Sequence, residues 1–278
     1  MAGPRRPMIV VLSLVTLALA AASVEAQFGL RGGRGFFNTR LATPADADGS
    51  FHFCRIVFGS DMRGGADGGW NVDWPRADIN LSVRLSELTK TPVSRVPSGE
   101  PAHWLLRLTD DVLFQCPFIM MTEVGSASLN PAEAARLREY LLKGGFLWAD
   151  DFWGTYSWDW WHSQLRKVLP ADEYPVVDLP PNHPLFSDHF DVKTTPQIPS
   201  INFWAGSGGQ TSERGADSAV ARSRAVLDAH GRIMVLMTHN TDIGDSFERE
   251  ADDPQYFMTM SVPGYAYGIN ALVYGLTH

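Results

Sequence analysis

One stretch constrains the fold of this chain more than any other: Gly144-Gly145-Phe146-Leu147-Trp148-Ala149-Asp150-Asp151-Phe152-Trp153-Gly154. A glycine pair closes a helix, because glycine accepts the left-handed conformation needed just past the last turn. Residues 145–150 then read as a short buried strand that ends in two adjacent carboxylates. Upstream, Asn130-Pro131-Ala132-Glu133 has the form of a capping box with proline at the first helical position. Ala134, Leu137 and Leu141 give the helix its apolar face. Before it, residues 111–122 contain Val112-Leu113-Phe114 and Phe118-Ile119-Met120-Met121, a run typical of a strand buried on both faces, ending at Glu123. Residues 112–150 therefore predict a β-α-β unit with a right-handed parallel crossover. Ligands of open α/β sheets bind just outside the carboxyl ends of the strands, so Asp150 and Asp151 fall on the working edge.

The rest of the chain extends this pattern. Residues 51–58 read as a first strand, ending at Gly59-Ser60-Asp61. A helix is expected over 75–89, with Asp73 as N-cap, Pro75 in the first turn, and Ala77, Leu81, Leu85 and Leu88 on one stripe. Trp158, Trp161, Leu165 and Val168 mark another helix. Residues 170–200 are proline-rich and irregular. Residues 232–238 form a further strand ending at His239-Asn240, and 256–276 are mostly helical, broken at Pro263-Gly264.

Carboxylates thus follow apolar strands repeatedly: Asp61, Glu123, Asp150-Asp151, then Asp242 and Asp245 beyond His239-Asn240. The start of the 75–89 helix returns Asp73 and Asp78 to the same edge. Packed like charges are costly, so such a cluster binds a cation, shares protons or pairs with arginine. Aspartate is also a common cap and turn residue, and as single positions Asp73 and Asn130 are explained as caps. Within residues 239–248, Asp242, Asp245 and Glu248 are three apart and share a face if helical. A divalent metal on Asp242 and Asp245 is one reading of that loop, although no zinc or EF-hand spacing is matched. A hydrogen-bonded loop pinned by capping aspartates is the other.

Asp61, Trp74, Asp78, Trp153, His239 and Asn240 are the candidate ligand contacts, and Asp150, Asp151 and Glu123 the candidate catalytic carboxylates. Exposed tryptophans beside paired carboxylates suit glycan chemistry; core packing is the competing account, strongest for Trp158 and Trp161. The chain contains no nucleophile elbow, phosphate-binding glycine loop or Cys-x-x-Cys pair. Its two cysteines, Cys54 and Cys116, fall in expected buried strands, where bridged and free states are both open.

The formal net charge of −8 argues against nucleic acid or an anionic membrane surface as partner. Arg5-Arg6, the apolar run 8–23 and Val24-Glu25-Ala26 read as a secretory signal peptide over 1–26, leaving no transmembrane segment after cleavage. Residues 27–49 read as a flexible linker and 50–278 as the folded domain. The expected location is the periplasm or the exterior.

Three segments, 74–81, 144–151 and 239–245, together resemble the bacterial family called domain of unknown function 4159, over about residues 50–278. The resemblance implies a flavodoxin-like three-layer α/β sandwich with a mostly parallel sheet, similar to class I glutamine amidotransferases, and no established activity. Amidotransferases place a nucleophilic cysteine after a strand preceded by a glycine pair. Here Asp150-Asp151 stands in that place, so classical glutamine hydrolysis is not expected. The leading expectation is an exported envelope protein that binds a small molecule or envelope component at the strand-end edge. The alternative is a carboxylate-dependent, metal-assisted hydrolase acting on a glycan or other envelope substrate, and an inert scaffold is the third reading.

Overall fold

The computed structural model describes residues 40–64 and 68–278. In chain order the elements are β1 (Phe53–Ile56), β2 (Gly59–Ser60), α1 (Arg76–Thr89), β3 (His103–Leu106), β4 (Phe118–Thr122), β5 (Ala127–Ser128), α2 (Pro131–Leu142), β6 (Phe146–Phe152), α3 (Gly154–Val168), β7 (Val176–Asp178), α4 (Ile201–Ser207), β8 (Arg222–Leu227), β9 (Ile233–His239), α5 (Ile243–Glu248), α6 (Pro254–Tyr256) and α7 (Val262–Thr277).

The main sheet has seven strands in the order β3-β1-β4-β6-β9-β8-β7. The first five run parallel, and β8 and β7 each pair antiparallel with their neighbours. Alternate residues of the central strands enter opposite layers, as the two-residue repeat of a strand requires. In β6, Leu147 and Ala149 join Leu137 and Leu141 of α2 and Trp161 and Leu165 of α3. Phe146 and Trp148 join Leu81 and Leu85 of α1 and Tyr267 and Leu272 of α7. The result is a flavodoxin-like three-layer α/β sandwich. Cys54 and Cys116 form a disulfide.

The β-α-β unit stands as expected. Asn130 Oδ1 accepts from the N–H groups of Ala132 (2.9 Å) and Glu133 (3.1 Å), and Glu133 reaches back to the Asn130 N–H. Several boundaries differ. Residues 111–115 are a 3-10 turn rather than strand. β6 continues through Asp150 and Asp151 to Phe152. Pro263 and Gly264 do not break the last helix: a π turn over Phe257–Ser261 leads into α7, and Pro263 sits in its first turn, where proline's fixed φ suits the helix. β3, β7 and β8 were not expected; β3 and β7 are short, at the two sheet edges, and carry little pattern.

Residues 1–26, the expected signal peptide, and residues 27–39 of the expected linker lie outside the described residues. The second part of the expected linker packs on the domain: the Ala42 N–H donates to Leu105 O (2.8 Å) and Ser94 Oγ donates to Asp48 Oδ2 (2.6 Å). Among the described residues no helix is long and apolar enough to cross a membrane.

Candidate functional site

At the carboxyl edge of β4, β6 and β9 the chain closes around a cavity of about 340 Å³. It is lined by Asp73, Glu123, Asp151, Asp242, Asp245, Glu213 and Glu248, with Trp153, Ser200 and Asn202 among the remaining walls. Arg249 is the one basic residue lining it among the described residues. It reaches Glu248 at 2.8 Å and Asp245 at 3.5 Å.

The backbone is bent to build this wall. Against β9, β6 pairs Ala149 with Met237 but Phe152 with His239, so β6 carries one extra residue. Such a bulge re-aims side chains and is common beside functional sites. Here it brings Asp151 to φ 55°, in the left-handed region. Among the described residues five non-glycine positions are left-handed. Lys90 ends α1, while Asp73, Glu123, Asp151 and Asn240 all lie on this edge. That conformation costs about 1–2 kcal/mol for a residue with a Cβ.

Asp242 and Asp245 are brought together as the three-residue spacing predicted. The Asp245 N–H donates to Asp242 Oδ1 (2.8 Å), which opens α5. Asp245 Oδ2 accepts from the Ile201 N–H (2.7 Å) and from Tyr256 Oη (3.2 Å). Both readings of the loop therefore meet in the same carboxylates, which pin the chain and also face the cavity.

Asp73 departs from expectation. Pro75, joined to Trp74 by a cis bond, holds the N-cap position of α1 without a side-chain cap. The Asp73 carboxylate caps nothing; it lines the cavity beside Asp242 and Asp245.

The electrostatics follow from crowding and burial. Burial first, then Asp245, holds the Asp73 carboxyl well above the ordinary carboxylate range, against the pull of Arg55. Burial and then Asp151 do the same to Asp242. Burial and then Glu123 do so to Asp151. Burial lifts Asp245 to about 6, with the Ile201 N–H opposing. Buried carboxylates without enough compensating positive charge hold their protons or take up a cation.

Other expected contacts lie elsewhere. Asp150 is buried behind the wall: its Oδ2 accepts from the Gly244 N–H (2.9 Å) and its Oδ1 from the Thr238 hydroxyl. It ties β6 to β9 and the start of α5, and burial lifts it to about 7. Asp78 is fully buried in an ion pair with Arg55 of β1, Nε lying 3.0 Å from both carboxylate oxygens. A charge so committed cannot reach the cavity. Asp61 follows the small β2–β5 ribbon, pairs with exposed Arg63 and does not line the cavity. Trp74 packs against Trp70 and His103. His239 Nε2 donates to Gly154 O (3.0 Å) and the Gly154 N–H donates to Asn240 Oδ1 (2.8 Å), so both residues clamp the turn into α3. Trp153 does line the cavity, its indole N–H donating to Asp151 Oδ1 (3.1 Å).

Sequence reasoning missed Glu213 and assigned Asp73 to a different task. Glu213 lies between α4 and β8, where no periodicity points to the site. Its carboxylate Oε1 accepts from the Ser200 N–H (2.6 Å), which anchors that wall. No curated protein matches the chain. The chain belongs to the family described as Domain of unknown function (DUF4159), which matches residues 52–276.

Proposed function

We propose that this chain is an exported cell-envelope protein that binds a positively charged ligand in the acidic strand-end cavity. The observation that carries the reading is the convergence of Asp73, Asp151, Asp242 and Asp245 on one cavity, all four buried, with only Arg249 as a basic lining residue among the described residues. A ligand bringing positive charge offsets their repulsion; a neutral or anionic one does not. The disulfide supports an oxidising compartment, in keeping with the signal-peptide reading of residues 1–26.

An amidotransferase activity has no support in the residues. Both cysteines of the chain are bridged, and the carboxyl end of β6 carries Asp150 and Asp151 where such enzymes carry their thiolate. The hydrolase alternative keeps one favourable observation: Asp151 and Glu123 both line the cavity, and burial, then the Glu123 charge, holds the Asp151 carboxyl well above the ordinary carboxylate range. An acid held protonated beside a second carboxylate is the arrangement glycosidases use. Asp150, tied to Gly244 and Thr238, takes no part in it.

A thermal-shift screen against divalent chlorides, spermidine, neutral sugars and peptidoglycan fragments tests the reading. Any ligand selective for the native state raises the apparent melting temperature. The expected result is a shift from a cationic ligand that shrinks in Asp151→Asn. Shifts from sugar fragments alone would favour the hydrolase, and no shift from any of them would leave the scaffold.

A further inference from the structure

We propose that Asp73, Asp242 and Asp245 form a binding site for a divalent metal ion with hard oxygen ligands, of the calcium, magnesium or manganese class. The inference rests on the cationic-ligand reading of the cavity and names the ion within it. Each of the three offers a carboxylate oxygen, and these atoms lie within 4.8 Å of one another. Three points so spaced share a centre no farther than 4.8 Å divided by √3, about 2.8 Å, from each, close to the 2.3–2.6 Å of calcium–oxygen bonds. The donors are all oxygens. His239 is turned to Gly154 O and both cysteines are bridged, so nitrogen and sulfur, which favour zinc and copper, are not offered.

The second observation is independent of the clustering. Asp73 Oδ2 is buried and has no hydrogen-bond partner, and the residue is 6% exposed. A buried acceptor left without a donor keeps its full desolvation cost, and the cost is larger when it is charged. Asp242 Oδ1 and Asp245 Oδ2 hold the chain through backbone N–H donors, so their local roles are filled. No such role accounts for Asp73 Oδ2. Space is kept for it: a Cβ added at Gly244 would collide with Asp73 Oδ2 and lie 3.4 Å from Asp242 Oδ1. Arg55 sits behind, its Nη1 donating to Trp70 O and Val72 O (3.2 Å each), which fixes the turn that presents Asp73. The site is open on the cavity side, where Asp151 and Glu248 lie and where water or a ligand group completes the coordination sphere.

The test uses the mature chain stripped with EDTA and titrated calorimetrically with calcium, magnesium and manganese chloride. Terbium luminescence, sensitised by Tyr256 beside Asp245, gives a second readout. One ion per chain is expected, with affinity falling at least tenfold in Asp73→Asn and unchanged in Asp178→Asn, an exposed carboxylate of β7. Asp242→Asn is the second variant, because asparagine retains the cap of α5; it too should lose the ion while keeping the wild-type circular dichroism. No stoichiometric ion in the wild type, or an ion retained by both variants, overturns the proposal. If spermidine binds and no metal does, the cavity reading stands and the metal site falls. If neither binds, both fall.

Discussion

Arg55 and Asp78 form an ion pair with no exposed surface directly behind the turn that carries Asp73. Arg55 donates to Asp78 from Nε and Nη2 and to two backbone carbonyls from Nη1. Asp78→Asn removes the counter-charge and leaves the guanidinium buried, a loss of about 3–5 kcal/mol for a broken buried pair. Leu85→Ala in the core of the same helix should cost about 2–5 kcal/mol. Urea unfolding of both variants measures this; an Asp78→Asn variant within about 0.5 kcal/mol of wild type, the usual range of a surface substitution, would be incompatible with a structural pair.

Neighbouring Asp150 and Asp151 should behave oppositely. Asp150→Ala strands the Gly244 N–H, worth about 1–3 kcal/mol when buried unpaired, and leaves the Thr238 hydroxyl only its longer bond to Ala149 O (3.3 Å). Asp151→Asn keeps an acceptor for the Trp153 indole and removes a crowded charge. An acid whose folded-state value is raised loses stability as pH climbs from the ordinary carboxylate range through that raised value. The advantage of Asp151→Asn over wild type should therefore grow as pH rises above the ordinary carboxylate range, about 4, in metal-free buffer. A difference that stays constant over that rise, by chemical denaturation, would refute the crowding account.

His239 supplies a pH test of the other sign. Burial holds it neutral, down to about 4 from 6.5, with Arg224 also opposing its charge. A base depressed in the folded state contributes stability that is complete above the unfolded value and is lost as pH falls toward the folded one. His239→Gln can still donate to Gly154 O. It should flatten the stability loss between pH 6.5 and 4 by on the order of 2–3 kcal/mol. Parallel wild-type and variant profiles would show that His239 does not titrate there.

The Cys54–Cys116 bridge spans 62 positions of sequence. Closing a loop of that size is worth about 4 kcal/mol in the chain-entropy view, and typically 2–4 kcal/mol is measured. Native protein should show no reactive thiol to a thiol reagent, and Cys54→Ser with Cys116→Ser should unfold at clearly lower urea. Two thiols titrating in the oxidised native protein would contradict the pairing.

What was legible in the sequence was the frame. The apolar run before Glu123 placed it at a strand end, and the run before Asp150 placed the strand but ended it two residues early, because a strand covered on both faces has to be apolar along its length. The capping box at Asn130 fixed the start of α2 for the same local reason. The occupants of the cavity were harder to read. Asp73 looks like a cap, and only contact with α5, about 170 positions later, gives its carboxylate another task. Asp78 reads as a ligand contact at the strand-end edge, because a buried partner in β1 leaves no periodic trace. Asp150 and Asp151 are indistinguishable as letters; the bulge in β6 sends one to the wall and the other behind it. The family match adds membership and leaves the chemistry to these contacts.

The left-handed residues of the strand-end edge set two pressures against each other. Asp73, Glu123 and Asp151 hold a conformation that glycine would adopt without steric cost, and each lines the cavity with a carboxylate. Replacing any of them with glycine relieves that steric cost and relieves crowding, and it dismantles the wall one charge at a time. A laboratory search for heat-resistant variants of this chain should therefore enrich changes at its working edge first, trading occupancy of the cavity for endurance.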